Sequence, residues 1–286
     1  MNITISGASG FIGRHLMKRL AEAGHAPRAL SRHAPPAESL READVVIHLA
    51  GEPIAQRWTA EAKRRIRESR VAGTRSLVEA LATLPRRPEA LICASAIGYY
   101  GSRGDEILTE SSAPGSGFLP ELCVAWEKEA QAAEALGMRV VRVRTGVVLD
   151  ARGGALQRML PPFRIGVGGR LGSGRQWMSW IHLEDLAGLF QLAVESRVRG
   201  PLNGVAPYPV TNSDFTRELA RALRRPAVFP IPEFALKLLF GEMADVLLAS
   251  QRVAPGAAQA AGFRFRFPQL APALAALLGQ SRIINR

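Results

Sequence analysis

Cysteine, lysine and tyrosine are scarce in this chain of 286 residues, and each shortage excludes something. Two cysteines, Cys93 and Cys123, cannot staple a small domain, and they lack the spacing of a metal-binding pair. The five histidines include no His-x-x-x-His pair, so no metal site is expected. No apolar run reaches the ~18 residues that a membrane span needs. The N-terminus has no basic stretch followed by an apolar signal core, and a cytoplasmic protein without a membrane partner is the expectation. The 37 basic residues include only four lysines (Lys18, Lys63, Lys128 and Lys237), leaving 33 arginines against 25 acids and a net charge of +12. That balance raises a nucleic-acid partner, but the arginines are spread along the chain, aromatics are only 6%, and no binding motif is present. No nucleic acid is expected; the excess reads as a solvated surface around at most one anionic ligand.

What is present is ordinary globular composition, 47% hydrophobic and 22% charged, at a length that suits one domain with an elaboration, or two. Apolar, β-branched runs at residues 1–6, 26–30, 44–50, 90–95 and 139–143 read as strands, with 146–149 continuing the sheet. Helical spacing at residues 14–23, 59–82 and 119–136 alternates with them. This alternation predicts an α/β fold, a Rossmann-type doubly wound parallel sheet. After Asp150 the pattern changes. Glycines crowd 153–174, a helix is expected at 184–195, and prolines punctuate helical runs near 212–223, 233–249 and 271–278. The expected division is a dinucleotide-binding domain at 1–150, with 176–206 returning to it. Residues 151–175 and 207–286 would form a smaller, mostly helical C-terminal cap for the substrate.

Gly7, Gly10 and Gly13 lie between the first strand and the first helix. The first glycine permits a tight turn, the second lets backbone approach a pyrophosphate, and the third lets helix and strand pack closely. At the end of the second strand, where a carboxylate would hold the ribose hydroxyls, stand Ser31 and Arg32. A guanidinium there fits a 2′-phosphate, so NADP is favoured over NAD. Leu49, Ala50 and Gly51 follow a buried strand at its carboxyl end, where such sheets hold ligands.

Five motifs in order, GASGFIG (7–13), HLAGEPI (48–54), SAIGYYG (95–101), RTGVVL (144–149) and WIHLEDL (180–186), resemble the extended short-chain dehydrogenase/reductases. Glu52-Pro53-Ile54, Ser69-Arg70-Val71, Gly153-Gly154-Ala155-Leu156 and Gly241-Glu242-Met243 are similar to the atypical "epimerase family" proteins of the YfcH type, which carry a C-terminal domain of unknown function. The resemblance covers nearly the whole chain. It implies NADP(H) held by Gly7, Gly10, Phe11, Ile12 and Gly13 at the phosphates and by Ser31 and Arg32 at the 2′-phosphate. Leu49, Ala50, Gly51 and Glu52 would line its middle, with Arg70, Ser95 and Val147 completing the site.

The usual reductase chemistry needs a Tyr-x-x-x-Lys pair on the helix after residues 90–95. Lysine four residues on lowers the phenol pKa, and a hydroxyl at the strand end orients the substrate. Residues 115–137 contain no tyrosine, and alignment puts Leu119 and Cys123 at the pair's positions. Ser95 and Tyr100 are the remaining catalytic candidates, with Glu52, Cys123 and His182 weaker ones. The reading is an NADP(H)-binding oxidoreductase or epimerase acting on a small molecule, anionic or a nucleotide-sugar, with Arg170 and Arg175 available to it. The alternative is a catalytically silent NADP(H)-binding sensor or interaction protein. Either would be a monomer or a homodimer.

Overall fold

The computed structural model describes residues 1–30 and 36–280. Its chain runs β1 (Asn2–Ser6), α1 (Phe11–Glu22), β2 (Ala26–Ala29), α2 (Pro36–Leu40), β3 (Val45–His48), α3 (Ala60–Ala82) and β4 (Ala90–Ala96). There follow β5 (Ile107–Leu108), α4 (Phe118–Gln131), β6 (Arg139–Thr145), β7 (Val147–Asp150) and α5 (Gly154–Arg164). Then come β8 (Trp177–Met178), β9 (Trp180–His182), α6 (Leu183–Glu195), β10 (Gly200–Gly204), β11 (Val210–Thr211) and α7 (Asn212–Leu223). The chain closes with α8 (Glu233–Phe240), α9 (Ala244–Leu248), β12 (Arg252–Val253), α10 (Gly256–Ala260) and α11 (Leu270–Gln280).

Among the described residues, six strands form a parallel sheet in the order β10-β6-β4-β3-β1-β2. Parallel strands need crossovers, and helices on both faces bury them, which is why β3 is buried at every position. Period-two alternation sends Ile3, Ile5, Val45, Ile47, Ile92 and Val143 to the face covered by α1 and α6. Val46, Leu91, Cys93 and Val140 point the other way, against α2, α3 and α4. Each face therefore has its own core, and a one-residue slip of any strand would exchange them. β1 lies between β2 and β3, so the strand order reverses there; ligands bind at the carboxyl ends beside such a switch point.

Several expectations from the sequence need correction or refinement. Residues 146–149 do not extend the large sheet. β7 pairs instead with β9 in a separate two-stranded parallel sheet, because the chain turns away at Gly146. A Cβ there would lie 2.5 Å from the Ser179 carbonyl oxygen, so only glycine lets these segments cross so closely. The glycine-crowded stretch after 153 is helical in its first part, as α5, whose two prolines fall in its last turn. The helix expected at 119–136 is α4 followed by a 3₁₀ turn at Ala132–Leu136, and the run at 233–249 breaks into α8 and α9 at Gly241.

α5, α7 and α11 share a core with Trp180, Phe215 and Leu274. α7 ends on Arg224 at φ 55, the one non-glycine with positive φ among the described residues. An arginine in this left-handed position carries strain of ~1 kcal/mol that glycine would not. Arg224→Gly is therefore expected to raise the urea midpoint slightly; a lower midpoint would show that the Arg224 side chain contributes more than the backbone costs.

Candidate functional site

The turn after β1 is built for close approach. Gly7 adopts φ +72, and a Cβ on it would stand 2.9 Å from the Ala50 nitrogen and the Leu49 carbonyl carbon. Gly13 is tighter still, since its Cβ would meet the Gly7 oxygen at 2.3 Å. The three glycines thus bring the turn, the start of α1 and the end of β3 together. Gly10 caps α1 without a side chain, and no acid stands in the first turn. The first N–H groups of a twelve-residue helix are then left to an incoming anion, with the helix dipole behind them. Among the other expected ligands, Phe11 packs its ring under Gly153 and Gly154, and Ile12 and Leu49 pack against the core beneath.

Ser6 and His48 hold the two strand ends in register. The Ser6 hydroxyl oxygen accepts from the Leu49 and Ala50 N–H groups at 3.2 and 3.4 Å. Its own proton is then available to His48 Nδ1, 2.5 Å away. Burial, with Arg70 adding to it, pushes the His48 pKa down to about 4. His182, which caps α6 by accepting the Glu184 N–H at 3.0 Å, is pushed down to about 4 by burial as well. Both imidazoles are neutral when folded and take up protons more readily when unfolded. Stability should therefore be full above about pH 6.5 and decline as the pH falls toward 4. His48→Asn should flatten part of that decline in pH-dependent urea titrations; an unchanged slope would show that His48 does not carry it.

Arg70 projects from α3 beneath the β3 end. It is only 9% exposed, donates to the Glu52 carbonyl at 2.9 Å and Ile66 carbonyl at 3.4 Å, and lies 5.1 Å over the Trp126 ring. A Cβ on Gly51 would touch its guanidinium at 3.1 Å. No carboxylate forms an ion pair with it among the described residues, and burial pushes its pKa down. It is a desolvated cation directly under the glycine that faces the crevice. The Glu52 backbone is fixed from the other side by the Ser69 hydroxyl, and its carboxylate turns to Gln56 and Arg65.

The structure does not bring Ser95 and Tyr100 to open space. Residues 91, 93 and 95 of β4 face α3 and α4, and Ser95, 4% exposed, donates to Glu127 Oε1 at 2.7 Å. Glu127 is held bidentately by Arg144 at 2.8 and 2.9 Å. Tyr100 is fully buried; its hydroxyl donates to Asn203 Oδ1 at 2.7 Å and accepts from Arg144 at 3.0 Å. Both hydroxyls are committed to one interior network, and burial pushes the Tyr100 pKa up. Ser95→Ala should cost about 1 kcal/mol of stability, since Glu127 keeps its two guanidinium contacts. Sequence reasoning missed Glu127 and Arg144, yet the alternation of Arg142 and Arg144 with valines in β6 was a signal that an acid lies opposite.

At the positions of the usual pair, Leu119 packs on Gly98, and Cys123 is buried with its thiol pushed up to about 12 by burial. Neither can exchange a proton near neutrality. Val147, half-buried, donates its N–H to the Ser179 carbonyl at 2.9 Å, in the small sheet beside the turn. Asp185 anchors the C-terminal segment by accepting the Arg266 and Phe267 N–H groups, and His182 stacks on Phe267 at 3.9 Å. These contacts make His182 a structural residue. The Ser31 and Arg32 positions lie outside the described residues.

Comparison with known proteins places these features. Residues 3–205 match the NAD dependent epimerase/dehydratase family, and residues 231–277 match a domain of unknown function, DUF1731. The epimerase family protein YfhF of Bacillus subtilis is 38% identical, over 99% of this chain and all of that one. The crystal structure of human epimerase family protein SDR39U1 with NADPH superposes with a TM-score of 0.90 at 34% identity, covering 98% of this chain and 99% of that one. A nucleoside-diphosphate sugar epimerase from Corynebacterium glutamicum gives 0.80 at 37% identity, over 98% of this chain and 58% of the other. Among the described residues no helix is long and apolar enough to cross a membrane.

Proposed function

This chain belongs to the NAD dependent epimerase/dehydratase family, and we propose that it binds NADP(H) and acts as an oxidoreductase or epimerase on a small molecule without a Tyr-x-x-x-Lys pair. The observation that carries the reading is the glycine cradle: backbone atoms would occupy the space of a Cβ at Gly7 and Gly13, beside an uncapped helix start, with Gly51 lying over the desolvated Arg70. In this reading the first N–H groups of α1, at Phe11, Ile12 and Gly13, hold the pyrophosphate. Leu49 to Glu52 line the middle of the dinucleotide, and Arg70 balances its charge from below. Ser31 and Arg32, placed by sequence just past β2, take the 2′-phosphate, and Val147 borders the nicotinamide end. The bound dinucleotide supplies or accepts a hydride at its nicotinamide ring.

In this reading residues 1–150 and 176–206 form the dinucleotide domain, and 151–175 and 207–286 the cap, in a cytoplasmic protein. The substrate class we favour is a nucleotide-sugar, consistent with the name of the Corynebacterium relative. Titration of the purified protein with NADPH and NADH, followed by quenching of tryptophan fluorescence, tests the reading. NADPH should bind more tightly, and Arg32→Ala should reduce that preference by about 10- to 100-fold. Equal affinity for both, unchanged in the variant, would overturn the assignment of the 2′-phosphate site.

A second reading has its own support. Ser95, Leu119 and Cys123 stand where a reductase keeps its catalytic groups and Tyr100 is the nearby substitute, and each is buried, bonded or apolar. That arrangement favours an NADP(H)-binding sensor. A partner interaction or conformational change that follows the NADPH/NADP+ ratio, with no turnover, would select it over catalysis.

A further inference from the structure

The cap carries a second cationic feature that the dinucleotide reading does not use. α7 and the connection that leads to α8 enclose a groove of about 340 Å³, lined by Arg170, Ser213, Thr216, Arg217 and Arg225, with Pro226 and Val228 at its apolar side. Among the described residues no carboxylate lines it, and none of its lining residues comes from the six-stranded sheet or from the turn after β1. The contrast with a larger groove beside α1 is instructive. That one, about 420 Å³, also gathers Arg14, Lys18, Arg19 and Arg152, but Glu22, Asp150 and Glu184 line it and pair with three of those cations. Its cations are largely paired, whereas in the α7 groove Arg217 is paired and Arg225 is not.

The three guanidiniums of the α7 groove are differently engaged. Arg170 donates to the carbonyls of Gly172 and Ser173, which fixes its stem along the glycine loop. Arg217 pairs with Asp214 at 2.6 Å and approaches Glu218 at 3.9 Å. The Arg225 guanidinium has no hydrogen-bond or ion-pair partner among the described residues. The Arg225 backbone N–H caps α7 by donating to the Ala220 carbonyl at 3.0 Å, next to the left-handed Arg224. The strained residue thus sets the direction in which the following arginine leaves the helix. Gly174, at φ +71, packs against Ser213 and Arg170, where any side chain would collide with the Ser213 hydroxyl.

We propose that this groove is a binding site for a phosphate-bearing small molecule, separate from the dinucleotide crevice. Arg225 and Arg170 supply charge-assisted hydrogen bonds to the anion, Ser213 and Thr216 offer hydroxyls, and Pro226 and Val228 face the body of the ligand. Asp214, and more weakly Glu218, work against binding by partly neutralising Arg217.

Calorimetric titration of the full-length protein with inorganic pyrophosphate, with and without saturating NADPH, tests this. Saturable binding that persists with NADPH present is expected, weakened about tenfold or more in both Arg225→Ala and Arg170→Ala. NADPH affinity should be unaltered in both variants, which also shows that they are folded. Glu218→Gln should tighten pyrophosphate binding, an effect that a merely structural arginine cluster would not produce. Ribose 5-phosphate separates the sources of the anion: binding comparable to pyrophosphate indicates the phosphate of an organic ligand, and binding of pyrophosphate alone indicates the free inorganic anion. The proposal is overturned by absence of saturable binding, by displacement with NADPH, or by an Arg225→Ala variant that binds as the wild type does. Failure of NADPH itself to bind would instead strike the dinucleotide assignment and leave the pyrophosphate titration standing.

Discussion

Glu127→Ala is expected to destabilise the protein by ~3–5 kcal/mol, the cost typical of stranding a buried charge. The carboxylate is 4% exposed and gathers Ser95, both arms of Arg144, and Arg142 at 3.6 Å. Removing it leaves two guanidiniums inside the sheet–helix interface without a counter-charge, with Arg144 itself 3% exposed. The damage would spread along a defined path. Arg144 also holds the Tyr100 hydroxyl and the Glu110 carbonyl, and Tyr100 holds Asn203 in β10. The Glu110 carboxylate in turn accepts the N–H groups of Asn203 and of Ala257 in α10. The connection between β4 and α4, the last sheet strand and α10 thus hang on one ion pair. Urea unfolding should show the lower midpoint, and Arg144→Met added to Glu127→Ala should recover part of the loss, because it removes the orphaned cation. A double variant no better than the single one would mean that the remaining charge already reaches water.

How much of this was legible beforehand differs by element. β1, β3, β4 and β6 could be read because burial on both faces demands continuous apolar runs, and the glycine turn because its three positions have separate steric causes; β10, with the sequence GPLNG, lacks such a run and could not be read as a strand. The departure of β7 from the sheet could not. It depends on Gly146 meeting Ser179 and Val205, contacts made across more than thirty residues of chain. Ser95 shows a subtler failure. Its place at a strand end is right for catalysis, but period-two counting from Leu91 and Cys93 assigns its side chain to the face covered by α3 and α4, and the hydroxyl follows that parity. The arginine surplus was equally ambiguous in composition. Many are exposed partners of acids, as Arg64 is to Glu61 and Glu68 on α3. Arg70 and Arg144 are buried, and no count of arginines could have separated them from the rest.

Arg70→Met should weaken NADPH binding by about 10- to 100-fold, equivalent to ~1.4–2.8 kcal/mol, without lowering stability. The two signs follow from the same geometry. Folding takes the guanidinium out of water and gives it two carbonyl acceptors and an aromatic face but no ion pair, so its charge is only partly compensated. A methionine of similar length fills the space over Trp126, keeps the packing, and removes a desolvation cost. The bound dinucleotide would return what folding withheld, because an anion above Gly51 faces the buried cation through a region of low dielectric. NADPH titration and urea unfolding on the same variant separate the two effects. Weaker binding together with a lower midpoint would mean that Arg70 acts by holding the Glu52 backbone in place. Unchanged affinity with raised stability would leave Arg70 buried for a reason unconnected with the cofactor. Arg70→Lys sharpens the distinction, since it keeps the charge but cannot span the Glu52 and Ile66 carbonyls with one planar group. If charge is what the dinucleotide needs, the lysine variant should bind more tightly than the methionine variant. If geometry is what counts, the two should be equally impaired.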